Sequence, residues 1–192
     1  MTEENFIHRL KEGDQNAYQK LVSQFSDRVY NTVFSLLRNQ EDAEDITQEV
    51  FTEVFQSIHR FREQSKLSTW IYRITVTKSL ELLRSRRREK RSGIILSLFG
   101  KEHQINVSSN EPFYHPGVSL ENKEMAAVLF NAIQRLPLHQ RTAFILNKLE
   151  NLSYAELAEI MGVSMSSVES LLFRAKKNLK KLLEVYYEQN LK

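Results

Sequence analysis

The chain has 192 residues, 41% of them hydrophobic, a formal net charge of +3 and no cysteine, which allows a core for one ordinary domain or two small ones. Disulfides, thiolate zinc sites and cysteine nucleophiles are thereby excluded, as fits a reducing compartment. No apolar run approaches the roughly 20 residues needed to cross a bilayer, and MTEENFIHRL carries acids where a secretory signal has a basic start, so the chain is expected in the cytosol.

Nearly all of the chain reads as helix. After Gly13, Asp14 is placed as an N-cap, and Tyr18, Leu21, Val22, Phe25, Val29, Val33, Leu36 and Leu37 recur at spacings of three and four. Ala43, Ile46, Val50, Val54 and Ile58 give a second stripe. Ile71, Ile74, Leu82 and Leu83 belong to a third helix, capped near Ser68, that ends in Arg84, Arg86, Arg87, Arg88, Lys90 and Arg91. Residues 1–91 are therefore expected to form one compact helical domain.

Between Ser92 and Ser119 the helical period disappears, and Gly93, Gly100, Pro112, Pro116 and Gly117 mark a linker. Its apolar patch, Ile94 to Phe99, either folds back on a domain or makes a separate contact. Periodicity resumes at Leu120, with Met125, Val128, Leu129 and Ile133 on one face, and breaks at Leu136-Pro137. Phe144, Ile145 and Leu149 form the next helix, followed by a short and a long one. The fold class is all-α: two small helical domains, 1–91 and 120–192, joined by a flexible linker over 92–119.

The stretch SYAELAEIMGVSMSSVESLLFRAKKNL has the arithmetic of a helix-turn-helix over about 154–173. Ala158 is small where two helices cross, Gly162 stands where the turn needs positive φ, and Val168 is buried from the second helix. Ser153 with Glu156 makes a capping box, and Ser164 caps the second helix. That helix exposes Ser166, Ser167, Ser170 and Arg174 on its early turns, with Lys176, Lys177, Lys180 and Lys181 after them, the pattern of base contacts followed by phosphate contacts. At least one of Leu171 and Leu172 should face the core, and Phe173 either meets a thymine methyl or packs sideways.

Against this basic background, Asn39 to His59 holds six acids and no Lys or Arg. On a helical wheel with Val50 as origin, Ala43, Ile46 and Val54 lie within about 40°, while Asp42, Asp45, Glu49 and Glu53 gather between about −60° and −140°. Such a stripe repels phosphate, and its complement is a basic protein surface; a merely solvated face is the plain alternative. The five histidines are scattered, with no HExxH, no Gly-rich phosphate loop and no nucleophile constellation, so neither enzymatic activity nor a cofactor is expected, and a metal site is not expected either, the one open pair being His103 and His115.

The run EDAEDITQEVF, then FREQSKLSTWIYRI, a basic helix end, a linker, LPLHQRTAFIL and the helix-turn-helix resemble, in order, the extracytoplasmic-function (ECF) subfamily of the sigma-70 family of RNA polymerase sigma factors. The resemblance implies that domain one docks on the β′ clamp coiled coil of core RNA polymerase through Asp42, Asp45, Gln48, Glu49, Phe51 and Glu53, with the β subunit as a further partner. It implies −10 recognition and DNA opening by Phe61, Arg62, Lys66, Trp70, Tyr72, Arg73, Thr77, Lys78, Arg84, Arg86, Arg87 and Arg88, where flipped bases need aromatic faces and single strands need cations. Trp70 is either a core residue or such a platform.

By position, the −35 promoter element would be read by Ser166, Ser167, Glu169, Ser170, Phe173, Arg174 and Lys177. Glu169 and Leu171 stand where many relatives have Arg, and Thr77 where relatives often have Asn. Glu169 can accept from cytosine N4 or orient a neighbouring Arg. The 28-residue linker has an r.m.s. coil span of about 26–32 Å, whereas promoter elements more than one turn apart demand more than ~35 Å, so it must stretch on binding. Many relatives are held inactive by an anti-sigma factor, often membrane-anchored. The competing reading is a stand-alone helix-turn-helix regulator, which has no use for an acidic stripe.

Overall fold

The computed structural model describes residues 2–97 and 123–190. The chain divides into two compact units, Met1–Asn110 and Glu111–Lys192. Most of the expected linker, with His103, His115 and the end of the Ile94–Phe99 patch, lies outside the described residues.

The first unit opens with a helix not among those expected from the sequence, α1 (Glu3–Lys11). Its signals are local: Thr2 accepts from the Asn5 N–H at 3.4 Å, Glu3 and Glu4 occupy the first turn, and Phe6, Ile7 and Leu10 are buried at helical spacing. Gly13 turns the chain at φ +78°. Asp14 then caps α2 (Gln15–Leu37), accepting from the N–H groups of Asn16 and Ala17 at 2.8 and 3.2 Å. The Arg9 side chain, donating to Asp14 at 2.7 Å, is the largest of the influences that hold this carboxyl below its ordinary pKa. Arg38 ends α2 in the left-handed region at φ 57°, and Asn39 caps α3 (Gln40–Ser57), accepting from the Asp42 N–H at 2.8 Å.

After a 3₁₀ turn over Ile58–Arg60, α4 runs from Leu67 to Ser97. It begins one residue before the expected cap, because Leu67 is itself buried against the core. Its helical backbone also continues past Arg91 and Gly93, where a linker was expected. Each further residue adds a hydrogen bond to an existing helix, and one glycine costs only about 1 kcal/mol. The inner face of α4 is rotated from the expected stripe: Ile71, Thr75, Val76, Ser79 and Leu80 are buried, whereas Ile74, Leu82 and Leu83 are half-buried. Thr75 and Ser79 donate to the Ile71 and Thr75 carbonyls at 2.9 and 2.8 Å, so their buried hydroxyls are satisfied within the helix. Helices α2, α3 and α4 pack together around Leu21, Val29, Val33, Val50, Val54 and Ile71.

The second unit comprises α5 (Lys123–Gln134), α6 (Leu138–Lys148), α7 (Tyr154–Met161) and α8 (Met165–Asn190), with α8 packed against the other three. Its core holds Phe130, Ile133, Leu146, Leu157, Val168 and Leu172. Leu129, expected on the inner face, is exposed and Phe130 is buried in its stead; the two lie about 100° apart on the helix, so the core face is turned by one residue. Asn178 donates to Gln140 at 2.8 Å, tying α8 to α6. Among the described residues no helix is long and apolar enough to cross a membrane.

Candidate functional site

Helix α3 buries Ala43, Ile46, Val50 and Val54, which turns its acids outward. Asp45, Gln48 and Glu49 are exposed and, with Thr52, Glu53, Gln56 and Lys78 from α4, line a shallow groove. Two of the acids are already engaged by α4. Arg86 forks onto Asp42, whose side chain is only 14% exposed, and Lys78 Nζ lies 3.4 Å from Glu49 Oε2. Phe51, expected among the docking residues, is instead a core residue at 7% exposure, because α2 covers that flank and Tyr18 donates to the Phe51 carbonyl at 2.5 Å. The exposed aromatic of this helix is Phe55, with its ring 5.1 Å from that of Tyr18 in an edge arrangement. The wheel could have found it: Phe55 lies about 140° from Val50, away from the core.

On α4 and the loop before it, two of the expected DNA contacts lie inside the first unit. Phe61 and Tyr72 are buried, at 4% and 3% exposure, so neither offers a ring face to a base. Phe61 packs on Trp70 with ring centroids 5.2 Å apart, and Trp70 remains half-buried. Its accessible part joins Arg73, Ile74, Thr77, Lys78, Glu81 and Glu53 in a second shallow groove. Trp70 is thus both a core neighbour and a surface. The two grooves adjoin, sharing Glu53 and Lys78. Arg62, Arg73, Thr77, Arg84, Arg86, Arg87 and Arg88 are exposed. Exposed Lys66 stands apart from these grooves, in a third with Lys20 and Arg28.

In the second unit the expected caps are present. Ser153 Oγ accepts from the Glu156 N–H at 3.3 Å while the Glu156 carboxylate accepts from the Ser153 N–H at 2.9 Å. Gly162 sits at φ +65° in open space, so the turn requires its conformation and not its lack of bulk. Ser164 Oγ accepts from the Ser167 N–H at 3.2 Å and starts α8. Val168, Leu172, Ala175 and Leu179 are buried from this helix, and Leu171 is half-buried. Outward stand Ser166, Glu169, Ser170, Phe173, Arg174 and Lys177, with Ser167 partly covered. Glu169, Ser170, Phe173 and Arg174 line one shallow groove; Phe173 is 68% exposed and Arg174 Nε donates to the Ser170 carbonyl at 3.1 Å.

The arrangement offers hydrogen-bonding and apolar groups at the front of α8, cations behind them, and an acid-lined groove on α3. Among the described residues no group of three or more His, Cys, Asp or Glu is gathered to hold a metal ion.

The family model of Sigma-70 region 2 matches residues 21–89, and that of Sigma-70 region 4 matches residues 126–179. The chain is 28% identical over 184 residues to the ECF RNA polymerase sigma-E factor of Haemophilus influenzae, covering 96% of each. It is 29% identical to the ECF RNA polymerase sigma factor SigW of Bacillus subtilis, covering 92% of this chain and 94% of the relative. To SigE of Mycolicibacterium smegmatis it is 33% identical, over 89% of this chain and 64% of the relative. Among solved structures, CnrH in complex with the cytosolic domain of CnrY shares the fold with a TM-score of 0.68 at 19% identity, over 94% of this chain and 96% of that one. RpoE in complex with the anti-sigma factor NepR, from Bartonella quintana, gives 0.66 at 22% identity, over 88% and 97%.

Proposed function

This chain belongs to the sigma-70 family, in its ECF subfamily, and from that premise we infer that it binds core RNA polymerase and directs it to specific promoters for transcription initiation. The observation that carries this reading is the adjacency in the first unit: an acid-lined groove on α3 adjoins an exposed face of Trp70, Arg73, Thr77 and Lys78 on α4. A protein that only gripped DNA would gain nothing from carboxylates beside its cations, since they repel phosphate. A bridging factor needs both.

In this reading, Asp45, Gln48 and Glu49 meet a basic surface of the polymerase, the β′ clamp coiled coil in the family's arrangement. The α4 face takes the opened −10 strand, with Trp70 available for stacking and Arg84, Arg87 and Arg88 for phosphates. The front of α8 enters the major groove of the −35 element, where short polar side chains read base edges and Lys177 meets phosphate. The protein works in the cytoplasm, with the polymerase. The partner of RpoE in its solved complex, the anti-sigma factor NepR, supports an anti-sigma factor as the regulator of this chain.

Run-off transcription with purified core polymerase on a library of promoter fragments tests the reading. Promoter-specific transcripts dependent on the chain are expected. A chain that leaves polymerase selectivity unchanged, yet binds a duplex tightly alone, would overturn it in favour of a stand-alone regulator.

A further inference from the structure

The fifth residue of α8, Glu169, is exposed and shares its groove with Ser170, Phe173 and Arg174. Its neighbours three and four residues away on the helix are Met165, Ser166, Leu172 and Phe173, and none carries a positive charge. Arg174, the nearest following cation in sequence, donates through Nε to the Ser170 carbonyl. Among the described residues the Glu169 carboxylate has no hydrogen-bond donor or ion-pair partner. Its orientation of a neighbouring arginine, one of the two roles open from the sequence, is therefore unsupported, and an unpartnered acceptor remains at the front of the recognition helix.

A carboxylate only accepts hydrogen bonds. In the major groove guanine presents acceptors at N7 and O6, and thymine presents an acceptor at O4 beside its methyl. Adenine sets an acceptor, N7, beside its N6 donor, whereas cytosine offers its N4 donor alone. We propose that Glu169 is a specificity-determining residue that selects a cytosine in the upstream promoter element, with the exposed Phe173 ring favouring a thymine close by. Phe173 lies about 6 Å further along the helix, within about two base-pair steps of 3.4 Å, and its apolar face suits the thymine methyl. The proposal rests on the function proposed above and names the sequence class of that site.

The test is run-off transcription by core polymerase with the full-length chain on promoters whose upstream element is randomised, comparing the native protein with E169Q, E169R and F173A. The native protein is expected to enrich cytosine at one position by at least about fivefold. At that same position E169Q should move the preference toward adenine, because an amide both donates and accepts, and E169R toward guanine. F173A should lose a thymine preference nearby. Transcription with the same base preference at every position in all four proteins overturns the inference and leaves the proposed function standing. No transcription from any template overturns the proposed function, and the inference with it.

Discussion

Arg86 on α4 donates through both terminal nitrogens to both carboxylate oxygens of Asp42 on α3, at 2.5 Å each. Each is the other's partner across 44 residues of sequence, although one reads in the sequence as a phosphate ligand and the other as a docking acid. In the free protein Asp42 is therefore part of the α3–α4 joint, and the available acids of the groove are Asp45 and, in part, Glu49 and Glu53.

The first prediction follows from that pair. D42N should lower the stability of the protein by about 1 kcal/mol or less, since Arg86 is 44% exposed and solvent screens the interaction. It should leave polymerase binding within about threefold of the native value. Urea denaturation and co-sedimentation with core polymerase check both; loss of polymerase binding in a folded D42N protein would restore Asp42 to the docking surface.

Asp45 behaves differently because it is exposed on the groove. D45K is expected to weaken association with core polymerase at least about tenfold, as a like charge set against a basic surface costs several kcal/mol, with the helical circular dichroism unchanged. The swap E49K/K78E keeps opposite charges across the 3.4 Å contact but inverts them. It is expected to bind core polymerase as weakly as E49K alone, because the outward charge is inverted in both; binding at the native level would show that only the internal pair matters.

Phe51 and Phe55 separate core from surface on one helix. F51A should cost about 3–5 kcal/mol, the usual range for deleting a buried aromatic ring, given its 7% exposure. F55A removes a ring that is 54% exposed and should cost about 1 kcal/mol or less, mainly the edge contact with Tyr18. Equilibrium urea unfolding of the two variants decides whether Phe51 is available to any partner.

At the turn of the helix-turn-helix, G162A should destabilise the protein by about 1–2 kcal/mol, because a Cβ disfavours the left-handed conformation held here at φ +65°. Nothing lies within 4 Å of that Cβ, so the loss should be conformational and similar for Ala and Ser. A thermal melt monitored by circular dichroism measures it. A much larger loss for serine would point to crowding.

Salt dependence tests the basic side of α8. Holoenzyme made with K177A should bind promoters more weakly, with the slope of log K against log salt smaller by about 0.9, the value for one lost phosphate contact, and with unchanged base preference. A lysine that touches no phosphate would leave the slope where it was.

Local rules made much of this protein legible before any coordinates. Asp14, Ser153 with Glu156, Gly162 and Ser164 act as caps and turns within a few residues of chain, and the stripe Ala43, Ile46, Val50 and Val54 follows from a 3.6-residue period. The acid flank of α3 and the outward face of α8 follow as the far sides of the same helices. What a helical wheel cannot supply is the position of the neighbouring helix, since it measures direction about one axis. Phe51, Phe61 and Tyr72 lie inside because another element covers each flank, and Leu129 lies outside because the core meets α5 one residue further round. The pairs Asp42–Arg86 and Glu49–Lys78 depend on where α4 crosses α3. Charges distant in sequence find one another only once packing brings their helices together, and that contact sorts which cations and acids remain for polymerase and DNA.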